Sequence, residues 1–233
     1  MAKKTNGGAR SQRLTRERIL RAAIAMADRE GVDAITMRGL GSELGVEGMA
    51  LYRHFANKDE LIESMIDLLV GDITAPPAGG PWRSAIRAQA LSAREVFGAR
   101  RWAQRLLATR LVLGPGTLGH IEAVTRVLRD AGFSYRLQHN TMHVLGARIF
   151  GFTQEPFDDA LTPEAVRRFV ALIRAGDYPA MKDALPHVRH EADAEFEFGL
   201  DLVLDALERA RRSAARGALP DVAVVRTPSS RAK

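Results

Sequence analysis

The chain has 233 residues, with 34 Lys and Arg against 28 Asp and Glu, a net charge of +6 and a pI near 10.1. Such a length allows one large domain or two small ones, and the basic balance favours an anionic partner. It contains no cysteine, no apolar run of membrane-spanning length and no hydrophobic leading segment. That excludes disulfide and thiolate chemistry and predicts a cytoplasmic protein with no membrane partner.

Aromatic residues make up only 6% of the chain and no run alternates like a strand, so the fold class expected is all-α. Residues 1–13 are rich in Gly, Ser, Lys and Arg without periodicity, and read as a disordered basic arm. It is either a solvated tail or an arm that follows phosphates or enters a minor groove. The first helix is predicted over 15–29, with Thr15 as N-cap, Gly31 as stop and an apolar face from Ile19 to Ala27.

Residues 36–55 hold two short helices and a tight turn. Thr36 caps the first, whose inward residues are Met37, Leu40 and Leu44; Gly45 turns the chain. The second is predicted over 47–55, with Leu51 and Phe55 inward. Gly41 lets the pair approach closely. Together they form a helix-turn-helix, whose second helix enters the DNA major groove, and the first helix braces them. Asn57 and Glu60 then make a capping box for a fourth helix with apolar Leu61, Ile62, Met65, Ile66, Leu69 and Val70. Lys58 sits in its first turn, where a nearby phosphate would offset the unfavourable dipole.

The Pro- and Gly-rich stretch 74–81 marks the clearest break. It separates a DNA-binding domain at 14–73 from a larger helical bundle at 82–213. Helices are predicted there over 82–98, 101–113, 117–131, 134–153, 163–175, 177–185 and 190–213, before a disordered tail at 214–233. The last helix is apolar on more than one face, as a helix covered by another subunit would be.

The stretch LTRERILRAAIAMADREGVDAITMRGLGSELGVEGMALYRHFANKDELIESM at 14–65 resembles the tetracycline-repressor (TetR) family of bacterial transcription regulators. Its marks are Thr36-Met37-Arg38, Leu44-Gly45-Val46, Leu51-Tyr52-Arg53-His54-Phe55 and Asn57-Lys58-Asp59-Glu60-Leu61. Trp82, Gly132-Phe133-Ser134 and Phe198-Gly199-Leu200-Asp201-Leu202 extend the likeness toward the tetracycline repressor's own subgroup. The resemblance implies a homodimer that binds a palindromic double-stranded operator and is released by a small-molecule effector. Its dimer contacts would come from the helices at 134–153 and 190–213.

DNA contacts implied by the family fall on Thr36, Arg38, Gly48, Met49, Ala50, Tyr52, Arg53, His54 and Lys58. Arg38 and Arg53 can pair with guanine edges or phosphates, Tyr52 and Lys58 suit phosphates, and Met49 and Ala50 read thymine methyls or shape. Phe55 rather than Tyr52 is expected inward.

An ungapped alignment puts Thr74, Gln89, Ala93, Arg110 and Leu113 at the drug and metal contacts of that repressor. Arg110 in place of a histidine argues against a magnesium-bound drug. The pocket expected for some other, unidentified effector uses Gln89, Trp102, Arg110, His139 and Met142. His139 and His143 lie four apart, but no Glu follows His139 and no third ligand is evident, so neither metal nor cofactor is expected. The chain carries no nucleophile elbow, paired carboxylates or Gly-rich phosphate loop. It is therefore not read as an enzyme, and no catalytic residues are assigned. A helical enzyme and a protein-binding adaptor without DNA binding are the competing readings.

Overall fold

The computed structural model describes residues 13–77, 79–98, 100–110, 112–151, 162–187 and 191–215. All regular structure among them is helical, as the all-α expectation requires. The arm at 1–13, except Arg13, and the tail at 214–233, beyond Ala215, lie outside the described residues. By its contacts the chain forms two compact units. One comprises residues 1–76, 88–124 and 149–153; the other comprises 77–87, 125–148 and 154–233. The sequence break at 74–81 assigned 88–124 to the larger bundle, whereas these contacts group it with the N-terminal helices. Two long helices, α5 (Trp82–Gly98) and α7 (Pro115–Asp130), each contribute to both units.

The first unit begins with α1 (Arg16–Glu30). Thr15 accepts from the Arg18 N–H at its start, and Gly31, at φ 86°, ends it. Ile19, Leu20, Ala23, Ile24, Met26 and Ala27 are buried along one face. A short 3₁₀ turn, Val32–Ala34, was not expected; it tucks Val32 into the core before the next helix. Then come α2 (Met37–Leu44), α3 (Gly48–Leu51) and α4 (Lys58–Gly71). Thr36 accepts from the Gly39 N–H at 3.0 Å, and Gly45 takes the left-handed conformation, φ 70° and ψ 32°.

The expected helix at 47–55 is a single turn of α-helix, continued by hydrogen-bonded turns from His54 N–H and Phe55 N–H to the Leu51 carbonyl. It cannot run on, because Asn57 is already extended as the N-cap of α4. The cap is a displaced capping box: Asn57 accepts from Glu60 N–H at 2.8 Å, while Glu60 accepts from Ala56 N–H at 2.7 Å, one residue earlier than the motif predicts. That bond, and Arg16 beside it, hold the Glu60 carboxyl below its ordinary pKa.

Helix α6 (Arg101–Thr109) stops short of the predicted 113, because Arg110 is extended. Helix α7 starts two residues earlier than expected. Its first free N–H groups, Gly116 and Thr117, donate at 3.1 and 2.8 Å to Asp67 of α4, a cap too distant in sequence to foresee.

In the second unit, α8 (Tyr135–Gly146) gives way to a π-helical turn, Ala147–Gly151, where a continuous helix to 153 was predicted. It packs against α11 (Ala192–Ala215), while α9 (Pro163–Ala175) adjoins α10 (Pro179–Ala184). Along α11, Phe196, Leu200, Leu204 and Leu207 form the buried seam. Trp82 packs edge-on against Phe133 at 5.0 Å and donates its indole N–H to Glu208 at 3.2 Å. Hydrogen bonds from Arg211 and Arg212 lower the Glu208 carboxyl to a pKa of about 2. No described helix is long and apolar enough to cross a membrane.

Candidate nucleic-acid interface and ligand cavity

The close approach of α2 and α3 follows from two glycines. A Cβ on Gly41 would lie 2.9 Å from the Gly48 backbone and from the Val46 carbonyl. One on Gly48 would lie 3.1 Å from Arg38 Cα. Gly48 therefore turns its bare face toward α2 and sets the packing of the two helices.

With the two helices so placed, α3 and the turn after it divide cleanly between inside and outside. Leu51 and Phe55 are buried, whereas Met49 is 74% and Tyr52 46% exposed. Thr36, Arg38 and Arg53 are exposed, and Ala50, His54 and Lys58 half-buried. Neither Arg38 nor Arg53 makes a hydrogen bond or ion pair among the described residues. Two unneutralised guanidinium groups thus flank an apolar tip. Lys58 is different: its ammonium donates to the Asp33 carbonyl at 3.2 Å.

Arg16, which carried no signal beyond positive charge, ties this surface to α4. Its guanidinium donates to the His54 carbonyl, to Glu60 at 3.0 Å and to Ser64 at 2.8 Å, and lies 4.2 Å over the Phe55 ring.

The residues proposed for the effector pocket do not come together. Trp102 is buried and donates to Asp28 on α1 at 2.8 Å, as a core residue. Arg110 pairs with Asp59 at 3.1 Å. His139 and His143 are exposed on α8, with their Nε2 atoms 3.2 Å apart, while Met142 is half-buried between them. Among the described residues no group of three metal-binding side chains forms. Of the aligned positions, Ala93 is in the core and Leu113 is 65% exposed, while the Thr74 N–H donates to Ser92.

Gln89 lines a cavity. This cavity, about 190 Å³, lies wholly within the first unit, between the end of α4 (Val70, Gly71), Ile73 just beyond it, Gln89 of α5, and Gly119 and His120 of α7. Gln89 is 4% exposed and its Nε2 lies 3.3 Å from His120 Nδ1. Burial pushes the His120 pKa below its ordinary value, which disfavours the imidazolium. The Arg110 part of the sequence argument against a metal-bound drug has no bearing on this cavity. Arg110 does not enter the cavity, and a histidine does. His120 was legible only as part of the small-residue face Gly116, Gly119, His120 and Ala123 of α7.

A larger cavity of about 380 Å³ is lined by Arg16, Glu60, Glu63 and Asp67. Those polar groups already bond to one another or to backbone, except that Glu63 lies 3.9 Å from Arg110. It is a cleft between ion pairs, whose polar groups are already engaged.

A glycine-tightened helix pair with exposed arginines, braced by α1 and α4, defines a helix-turn-helix DNA-binding regulator. The comparisons with known proteins agree. Residues 19–65 match "Bacterial regulatory proteins, tetR family" and residues 75–211 match "Tetracyclin repressor-like, C-terminal domain". The chain belongs to the TetR family of transcriptional regulators. It is 28% identical over 213 residues to the HTH-type transcriptional repressor DrrR1 of Streptomyces coeruleorubidus, covering 84% of this chain and 77% of that one. It is 30% identical over 198 residues to the class A tetracycline repressor from transposon 1721 of Escherichia coli, with coverage of 83% and 90%. The crystal structure of the Streptomyces coelicolor TetR-family protein ActR in complex with actinorhodin aligns at a TM-score of 0.74 and 27% identity, covering 85% of this chain and 99% of that one.

Proposed function

We propose that the protein is a dimeric repressor that leaves its operator when a small molecule occupies the cavity beside Gln89 and His120. The observation that carries the DNA half is the pair of unneutralised, exposed arginines on a helix-turn-helix. Arg38 and Arg53 make the base or phosphate contacts, Thr36 and Tyr52 fix the backbone, and Met49 and Ala50 meet thymine methyls. His54 and Lys58 lie at the edge of this surface, and the Lys58 ammonium, bonded to the Asp33 carbonyl, has further N–H groups to offer a phosphate. The repressor names of DrrR1 and the class A protein support the sign of regulation.

The ligand half is supported by the ActR–actinorhodin complex and by the position of the cavity. Its walls include Gly71, near the end of α4, and Gly116, which sits directly on α4: a Cβ on Gly116 would come 2.1 Å from the Asp67 carbonyl. A ligand that shifts the start of α7 therefore bears on α4, and α4 is joined through Glu60, Ser64 and Arg16 to the carbonyl of His54. Dimerisation is supported by exposed apolar side chains on the packed pair α8 and α11: Tyr135, Val144, Phe198 and Leu202. The reading as a regulator with no catalytic role is supported by the names of the relatives, which are regulators.

The test is an electrophoretic shift with the DNA upstream of the protein's own gene, across a salt series. Specific, salt-sensitive retardation is expected. Arg53→Ala should weaken it by about 1–3 kcal/mol without changing subunit assembly. Unchanged affinity in that variant would reject the interface.

A further inference from the structure

Within the effector reading above, the cavity also selects its ligand by charge. We infer that it takes a small, uncharged ring compound carrying a hydrogen-bond donor and at least one acceptor, bound without a metal ion. The inference rests on the proposed effector site and goes further by naming the ligand's chemistry.

Three observations lead to it. First, the lining residues from Val70 to Ala123 include no Asp, Glu, Lys or Arg. A charged ligand would find no counter-charge there, and the water it loses against Val70, Ile73 and Gln89, the buried part of the lining, would not be replaced. Second, the two polar side chains satisfy each other in part and leave a defined remainder. If the Gln89 amide donates to His120 Nδ1, the amide oxygen remains as an acceptor, and the second amide N–H and the Nε2–H remain as donors. If the amide is turned over, Nδ1–H donates to the oxygen, leaving both amide N–H groups and an Nε2 lone pair. Either arrangement presents two donors and an acceptor, so the complement does not depend on the tautomer. Third, a cavity of about 190 Å³ is smaller than the range of about 300–1,000 Å³ that holds drug-sized ligands. That suits a two-ring molecule better than a four-ring drug with its hydrated metal. Magnesium also prefers several oxygen ligands, and no carboxylate faces the cavity.

The site offers a way to block it. A Cβ added at Gly119 would meet nothing within 4 Å, and Gly119 shares its face of α7 with Gly116, His120 and Ala123. Gly119→Leu therefore adds bulk at the rim of the cavity without a clash at its Cβ.

The experiment is calorimetric titration of the full chain with two fluorescent probes of one shape, 6-acetyl-2-naphthol and 6-hydroxy-2-naphthoate, with and without magnesium. Wild type should bind the ketone one to one, bind the carboxylate at least tenfold more weakly, and show no magnesium dependence. Gly119→Leu, with its folding verified by thermal melting, should lose the ketone at least tenfold. Equal or tighter binding of the carboxylate, itself blocked by Gly119→Leu, would overturn the charge selection while leaving the site in place. Ketone binding that Gly119→Leu leaves untouched would instead overturn the site. No ketone binding by wild type, or binding only with magnesium, would overturn the ligand class.

Discussion

His120 shows how burial sets the chemistry of one side chain. Packed against the end of α4 and bonded to Gln89, its imidazole has lost enough water that the cation is disfavoured. The folded pKa thus lies below the ordinary 6.5, and between those two values the unfolded chain binds more protons. This group's contribution to stability is complete above about pH 6.5 and falls away as the pH drops toward the folded value. Melting temperature should therefore fall more steeply on acidification in wild type than in His120→Gln. Parallel curves would show that the imidazole is not held neutral. At the same scale, Phe55 and Tyr52 behave as helical period predicts, with Phe55 buried and Tyr52 turned out. Trp102 does not behave as a polar pocket residue. Its indole N–H finds Asp28, and no sequence spacing announces a bond across 74 positions.

Elements are held by contacts whose partners lie far apart in the chain. Gly41 sits inside a helix, where Gly normally costs about 1 kcal/mol against Ala. The backbone of Gly48 and the Val46 carbonyl nevertheless leave no room for a methyl group. Gly41→Ala should therefore destabilise the protein by about 1–3 kcal/mol despite the better helix former. Urea unfolding measures this, and a more stable variant would show that the turn can relax. Asp67 acts as the N-cap of α7 from another helix, through the N–H groups of Gly116 and Thr117. Asp67→Ala should cost about 0.5–2 kcal/mol, as loss of a helix cap does. Asp67→Asn, which keeps an acceptor oxygen, should restore part of it. Equal loss in both variants would point to charge instead of capping.

For the whole molecule, the decisive surface is the one left open on α8 and α11. Phe198, 68% exposed, and Leu202, 53% exposed, lie on the side of α11 away from the buried seam of Phe196, Leu200, Leu204 and Leu207. A helix with two apolar sides needs a second cover, and a second copy of the chain supplies it in the proposed dimer. Phe198→Asp places a charge in that surface and should shift sedimentation toward the monomer. Operator affinity should fall with it, since one chain offers only one recognition helix. A variant that remains dimeric would move the interface elsewhere.

The sequence by itself determined the helices, their order and the class of protein. Those properties depend on apolar period, caps and turn glycines, all of which act within a few residues: Thr36, Gly45, Asn57 and Phe55 stand as their local chemistry dictates. Only the tertiary structure decided which polar groups meet. It brought His120 to Gln89, sent Arg110 to Asp59, and set Arg16 and Asp67 as links between helices. A long side chain can reach several partners, and which one it takes depends on helix packing that no local pattern encodes.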